Sequence, residues 1–398
     1  MRLYYLSNSL IPSKFANSIQ VMKMCRAFSD FFDQVVLFAR FNQQEKEVDI
    51  FQYYGVKPTF EADRIKSLNI SGLRRFHHAW KIIQRIRADK GPKELFGRDY
   101  YVLGLIAFLG LVKAPMSLEI HQPPSKWLHT FLQRQVFKSP HFKQLVVISQ
   151  ALADEYVRLF GPLVEGKTMV AHDGADTNQI PRDLIDHPSY EQKSEKFKLG
   201  YIGSFYPGKG MGMIAKLAPM LPECEFHVVG GKPYEVEHWK EVCGQGNMVF
   251  HGFVSPERIY EFMREFDVML APYQPKVLIG GKKGSKKGDI AKWMSPLKLF
   301  EYMAGGKPIV CSDLPVLMEV LRHEDNALLA SSTDVDNWVQ QIRRLKDSHE
   351  LREQVGRSAQ KDFFENYTWK KRAEHILGIK SDSTDTETNT EPEPEIHG

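Results

Sequence analysis

Residues 295–313 read SPLKLFEYMAGGKPIVCSD, with the residue types of a turn, a helix, a second turn and a strand in that order. Ser295 and Pro296 open it, LKLFEYMA is made of good helix formers, Gly305 and Gly306 stop the helix, and the β-branched run after Pro308 reads as a buried strand. A helix feeding a short apolar strand is half of a βα unit, and units of this kind stack on a parallel sheet. Outward from this segment the alternation recurs. Strands are expected at 198–202, 225–229, 248–251, 268–271, 308–311 and 327–329 in the second half, and at 3–7, 34–39, 94–96, 116–120, 145–148 and 168–172 in the first. Helices such as 18–28 and 150–159 fall between them. Residues 181–196 (PRDLIDHPSYEQKSEK) lack any hydrophobic period and read as a linker. The expectation is an α/β protein of two Rossmann-like domains, 1–185 and 186–362. A helical stretch at 363–378 follows them, and an acidic tail at 381–398 is too polar to offset the entropy of ordering it.

A chain of 398 residues with 42% hydrophobic and 26% charged side chains is long enough for two cores. Its net charge of +4 does not point to nucleic acid. Cys25, Cys224, Cys243 and Cys311 are scattered, which indicates neither a metal cluster nor a disulfide framework and suits the cytosol. The first residues read as a strand and not as a signal peptide. The most apolar stretch, 102–112, has 11 residues against the ~20 that span a bilayer, so it is expected to be a core helix.

Chemistry enters where the 297–304 helix begins. The first N–H groups of a helix lack partners and favour anions, so Leu297, Lys298 and Leu299 can hold a diphosphate, with Lys298 adding a full charge. Glu301, in the first turn or just after it, can accept hydrogen bonds from both hydroxyls of a ribose, although a glutamate early in a helix also simply suits the dipole. A second segment, 199–212 (LGYIGSFYPGKGMG), is a strand ending in Gly203, then a glycine-rich turn with Lys209. Such a loop brings backbone close to phosphate, and turns also need glycine for themselves. Gly230 and Gly231 form either a tight turn or a ligand-facing edge. In the first half, Asn17 and Ser18 are candidate helix caps, and His121 stands at the carboxyl edge of its strand, where α/β sheets place ligands.

These segments resemble family 4 glycosyltransferases, in the variant worded SPLKLFEYMA. The resemblance implies the GT-B fold, two Rossmann-like domains facing across a cleft, with the helical stretch at 363–378 packing back on the first. It makes Glu301 the second glutamate of the family's E-x7-E pattern, with Trp293 where the first would stand. Lys209 matches the family's loop lysine, and Ser204 takes the place of an arginine. Ser295, Leu297 and Leu299 belong to the nucleotide motif; Gly203, Gly230, Gly231, Phe253 and Val254 have counterparts around the nucleotide. His121 matches a histidine that contacts the donor sugar, and 172–176 (HDGAD) resembles the motif that closes the first domain. The resemblance further implies a retaining, metal-independent hexosyl transfer from a UDP- or GDP-sugar to a glycan or lipid-linked acceptor, in polysaccharide or glycolipid synthesis. His121, Lys209 and Lys298 carry the catalysis, with no cofactor beyond the donor. The setting is cytoplasmic, peripheral on the inner membrane face. Two rivals stand beside this. A UDP-sugar epimerase of the same fold would need acidic catalytic residues; a nucleotide-sugar-binding scaffold without turnover is suggested by Trp293 and Ser204.

Two basic regions bear on the acceptor. Residues 72–90 set Leu73, Phe76, Trp80 and Ile83 against Arg74, Arg75, Lys81, Arg85 and Arg87, which suits either an anionic interface or an ordinary core-facing helix. Residues 274–292 carry six lysines, either as a flap over the diphosphate or as a solvated insertion.

Overall fold

Strands β1 (Arg2–Ile11), β2 (Gln34–Phe41), β3 (Glu61–Asp63), β4 (Lys93–Gly97), β5 (Met116–Ile120), β6 (Phe142–Val147) and β7 (Thr168–Val170) form one sheet in the order β3-β2-β1-β4-β5-β6-β7. Strands β8 (Phe197–Ile202), β9 (Cys224–Val229), β10 (Met248–Gly252), β11 (Val268–Ala271), β12 (Ile309–Ser312) and β13 (Leu328–Ala330) form a second, in the order β10-β9-β8-β11-β12-β13. The structure is a computed structural model that describes residues 1–42, 47–65, 74–192, 194–244, 246–255, 258–278 and 289–379. Neighbouring strands in both sheets run parallel. The helices of the first half are α1 (Ala16–Phe28), α2 (Ile50–Tyr54), α3 (Arg74–Ala88), α4 (Tyr100–Leu109), α5 (Trp127–Lys138), α6 (Gln150–Phe160) and α7 (Arg182–Asp186). Those of the second are α8 (Met211–Leu217), α9 (Pro233–Cys243), α10 (Ile259–Glu265), α11 (Leu297–Ala304), α12 (Val335–Asp347), α13 (His349–Asn366) and α14 (Trp369–Leu377).

Parallel strands covered by helices on both faces are buried along their whole length, and all five residues of β5 are. Side chains alternate across the sheet. Tyr4 and Leu6 pack with Ile82, Ile83 and Ile86 of α3 and Leu103 of α4 on one face; Leu3 and Tyr5 pack with Met22 and Phe28 of α1 on the other. The second sheet repeats the scheme, with Leu199 and Tyr201 packed among Ile214, Leu217 and Trp338, and Ile202 and Met269 among Phe300, Ala359 and Phe363. In each sheet the strand order reverses beside its first strand, between β1 and β4 and between β8 and β11. The loops leaving those strands at their carboxyl ends diverge there and open a crevice.

Several expectations are corrected. Residues 181–196 are not a bare linker: α7 lies there, Leu184 and Tyr190 are buried, and Arg352 Nε donates to the Tyr190 carbonyl at 2.9 Å. Strand β3 has no counterpart among the expected strands. Asn17 and Ser18 do not cap α1, which starts at Ala16 behind Phe15; Asn17 donates to Ser9 and Ser18 Oγ donates to carbonyls of Ser13 and Phe15. The apolar stretch 102–112 buries Val102, Leu103 and Ile106 but leaves Phe108 and Leu109 exposed, because Gly110 ends the helix in a left-handed conformation. In α3 the buried face is Ala79, Ile82, Ile83 and Ile86, with Phe76 outside it. Helix α14 returns to the first sheet, where Trp369, Ala373 and Ile376 join the cluster around α1. Residues 71–73, the lysines at 282, 283, 286 and 287, and the acidic tail lie outside the described residues. No helix among the described residues is long and apolar enough to cross a membrane.

Candidate active site

Helix α11 is fixed against the second sheet before its ligand-facing residues are considered. Tyr302 Oη accepts from the Ile202 amide at 2.9 Å and donates to the Ile202 carbonyl at 3.1 Å, while Leu299 and Phe300 are buried in the core. Lys298 therefore points back past the end of β8. Its Nζ lies 4.1 Å from the ring centre of Tyr201 and 4.5 Å from that of Tyr273, the latter just beyond β11. It is buried and has no hydrogen-bond acceptor among the described residues. Lys209 also reaches Tyr273, with Nζ 5.5 Å from the ring centre. Burial, then the neighbouring Lys209, holds the Lys298 ammonium well below the usual lysine range; burial lowers Lys209 as well. Two lysine side chains thus meet at the crevice between β8 and β11, and among the described residues Lys298 Nζ is held there by ring faces alone. A buried charge without a counter-charge is costly, and an anion is what would compensate these.

The glycine loops make room around them. Gly230, at φ 122°, packs so closely that a Cβ would come within 2.0 Å of the Gly203 carbonyl oxygen; at Gly208 (φ 86°) one would meet the Lys276 carbonyl at the same distance. Both sites require glycine for close backbone approach. Gly231 abuts the Phe205 ring, and the Ser204 carbonyl accepts from Tyr201 Oη at 2.9 Å. Phe253 stands exposed beyond β10, Val254 packs on the core, and Lys14 from the loop after β1 sits over the Phe253 ring at 4.1 Å.

Glu301 lies in the second turn of α11, one turn deeper than Lys298. It lines a cavity of about 30 Å³ with Lys23, Gly174, Asp176, Tyr260, Leu297 and Trp369, and Lys23 pairs with Asp176 there. Burial first, then the Asp176 carboxylate, raises Glu301 to about 7, against the opposing pull of Lys298 and Lys23.

Across the cleft, β5 ends in a different arrangement. Glu119 is fully buried and accepts from Gln20 Nε2, from Arg372 Nη2 at 2.9 Å and, at 2.7 Å, from His121 Nε2. Arg98 Nη1 donates to Gln20 Oε1 at 2.6 Å. Burial alone would raise the Glu119 carboxyl, but Arg372, His121 and Arg98 hold it far below the usual range, so it stays ionised. An ionised carboxylate only accepts; Nε2 of His121 therefore carries the proton and Nδ1 keeps its lone pair. Burial and Arg98 lower the His121 pKa, so the ring is neutral near pH 7. The halves also touch directly: the Asp173 amide donates to Ser295 Oγ at 2.8 Å, Ser149 Oγ donates to the Trp293 carbonyl at 3.2 Å, and Glu319 accepts from the first amides of α6. Asp173 Oδ1 is buried beside His121 without a partner among the described residues.

The residues singled out from the sequence fall into three groups. Gly203, Ser204, Lys209, Gly230, Gly231, Leu297, Lys298 and Glu301 surround the second-domain side of the cleft, His121 faces it from the first, and Phe253 joins them through Lys14. Ser295 and Val254 serve packing and the contact between halves. Leu299 points into the core, and its amide is already bonded to the Pro296 carbonyl at 3.0 Å. Trp293 packs against the first-domain core. The sequence reading missed Lys23, Arg98, Glu119, Arg372, Tyr201 and Tyr273. Charged residues inside buried strands and helices were the available signal, Glu119 within MSLEI above all.

Two facing parallel sheets of this strand order, joined back to the first by a C-terminal helix, are the GT-B fold. The crystal structure of Anabaena Alr3699/HepE in complex with UDP-glucose is similar over 95% of this chain and 98% of that one, with a TM-score of 0.67 and 14% identity. Residues 212–378 match the family described as glycosyl transferase-like. An uncharacterized glycosyltransferase of Methanocaldococcus jannaschii is 23% identical over 279 residues, 65% of this chain and 64% of the relative, so the chain spans just under two thirds of that protein's length. The D-inositol 3-phosphate glycosyltransferase of Paenarthrobacter aurescens is 24% identical over 335 residues, 76% of each chain.

Proposed function

We propose that the protein is a retaining glycosyltransferase that moves a sugar from a nucleotide-sugar to an acceptor bound in the cleft. The observation that carries this reading is the buried, unpartnered Lys298 ammonium with Lys209 beside it at the crevice of the second sheet, and Glu301 one helical turn away. Two cations and the first amides of α11 suit a diphosphate, and a carboxylate at Glu301 suits the two hydroxyls of a ribose. The match of residues 212–378 to a glycosyl transferase-like family covers these residues other than Lys209 and favours the same chemistry.

In this reading the donor's diphosphate lies against Lys298 and Lys209, which stabilise the negative charge that grows on it as the glycosidic bond breaks. The departing phosphate oxygen takes the acceptor hydroxyl's proton as the new bond forms on the same face, so no protein nucleophile is required. His121 offers Nδ1 to a sugar hydroxyl, held in that tautomer by Glu119. Contact between the halves excludes water from the donor.

The test is thermal stability of the full chain with UDP, GDP and ADP and their sugar conjugates. A ligand present at about 100 times its Kd adds about 2.7 kcal/mol to the folded state. Stabilisation by one nucleotide that Glu301→Ala removes is expected; stabilisation by none rejects the reading. Turnover of the bound conjugate separates a transferase from a binding scaffold.

A further inference from the structure

We propose that the face formed by α3, α4 and α5 docks on an anionic lipid bilayer. Fifteen large hydrophobic side chains are exposed among the described residues, and six of them, Phe76, Phe108, Leu109, Trp127, Leu128 and Phe131, lie on these three helices. Ring contacts join α4 to α5, and Trp127 stands one helical turn before Phe131 on the same face of α5. Phe108 meets Phe131 at 5.7 Å between ring centres, and Tyr100 of α4 meets His129 of α5 at 5.1 Å. Arg75, beside Phe76, lies over Tyr101 at 4.4 Å. Trp127, in the first turn of α5, is 78% exposed and Phe108 is 56% exposed. Single exposed hydrophobes are ordinary, but a grouped aromatic patch on a protein surface signals an interaction site.

Charge selects the occupant. The three helices carry seven Lys and Arg and no Asp or Glu, and residues 74–138 as a whole carry twelve basic against four acidic residues. All four acids of that segment are engaged: Glu119 is buried in its network, Asp99 is buried and caps α4, Asp89 pairs with Arg2 and Glu94 with Lys143. Four of the twelve cations are engaged as well, Arg75 with Asp99, Arg85 with Asp63, Lys93 with Asp89 and Arg98 with Gln20, and the basic excess that remains goes with an apolar surface, the composition that inserts aromatic rings at the headgroup boundary and attracts anionic headgroups. A second copy of this chain would bring the same positive charge to the contact and would repel. The short stretch from His121 to Trp127 spans at most about 22 Å fully extended, so an acceptor whose lipid lies in that bilayer would present its headgroup to the cleft. The docking itself stands without the donor chemistry.

The test is co-sedimentation of the full chain with vesicles, one set of phosphatidylcholine and one of equimolar phosphatidylcholine and phosphatidylglycerol, at moderate salt. Binding to the anionic vesicles should exceed binding to the neutral ones by at least about tenfold, because several cations approach the surface. The double variant W127S/F131S should lose that binding while its melting temperature falls only slightly, since Trp127 is mostly exposed and Phe131 over a third exposed. A blue shift of tryptophan emission on adding anionic vesicles, lost in Trp127→Phe, reads the insertion of this residue directly. Absence of vesicle binding, equal binding by the double variant, or a dimer in solution that W127S/F131S dissociates would each overturn the proposal. Nucleotide-induced stabilisation of the same preparation fails or succeeds separately, so loss of the docking proposal and loss of the donor reading are distinguishable.

Discussion

The two rims of the cleft bury charge in opposite ways. On the first-domain side Glu119 is enclosed by Arg372, His121 and Gln20, with Arg98 behind, so the ion is compensated within the chain. On the second-domain side Lys298 and Lys209 both lie against the Tyr273 ring, and Lys298 Nζ has no hydrogen-bond partner among the described residues. The first rim is balanced in charge although Glu119 Oε2 and Arg372 Nη1 lack hydrogen-bond partners among the described residues, and a charge-balanced network orients a neighbouring group, whereas like charges side by side favour an anionic ligand. In the proposed reading, charge balance assigns one rim to scaffold and the other to ligand binding, and it makes opposite demands on mutants.

The largest effect should come from breaking the compensated rim. Removing one partner of a buried ion pair strands the other, at a cost of about 3–5 kcal/mol. Arg372→Met should lower the midpoint of chemical denaturation accordingly, and the double variant R372M/E119Q should recover much of the loss because no unpaired charge is left. A single variant as stable as the native chain would refute the contrast.

The uncompensated rim should respond the other way. Lys298→Met should lower the specific rate of transfer by about a hundred- to a thousandfold, the usual loss when one group that stabilises transition-state charge is removed. Its denaturation midpoint should stay level or rise, since a costly buried amine has gone. If Lys298→Met destabilises as Arg372→Met does, both rims are scaffold.

This contrast also separates what the sequence disclosed from what it concealed. Lys298 and Glu301 were legible because helix, cation and carboxylate sit within SPLKLFEYMA, where 3.6-residue spacing alone puts them one turn apart. The sheets were legible because parallel strands buried on both faces read as continuous apolar runs. The Glu119 network was not, because Arg372 lies 253 residues away and joins it only when α14 folds back. Strand β3, with the sequence EAD, has no apolar signal; parallel pairing to β2 makes it a strand. The outer end of α4 was not legible either: a continuous apolar run does not say which residues a helix turns outward, and Phe108 and Leu109 are exposed while Val102, Leu103 and Ile106 are buried.

Glu301 carries the contrast into pH dependence. Its pKa is raised to about 7 in the folded chain from an ordinary 4.5, so folding disfavours its ionised form. Stability from this group is complete below pH 4.5, declines as pH rises through about 7, and amounts to about 3 kcal/mol. Glu301→Gln should flatten that decline. Binding of a nucleotide-sugar, whose diphosphate does not titrate in this range, should run oppositely if the carboxylate is the ribose ligand. Affinity should rise about tenfold from pH 6 to pH 8 in the native chain and stay flat in Glu301→Gln, as calorimetry would show.

The smallest effect tests where the rims meet. Lys14 belongs to the first half and Phe253 to the second, and the 4.1 Å contact between them places a cation on the face of an exposed ring. Such a contact at an exposed site contributes about 0.5–1 kcal/mol. If a nucleotide base packs on that same ring face, Lys14 must leave before the base arrives, and the cost falls on binding. Lys14→Ala should then tighten nucleotide binding about two- to fivefold, as titration calorimetry would measure. Weaker binding in Lys14→Ala would mean that the first rim lends the donor a cation of its own, and the division between a scaffold rim and a binding rim would have to be redrawn at this loop.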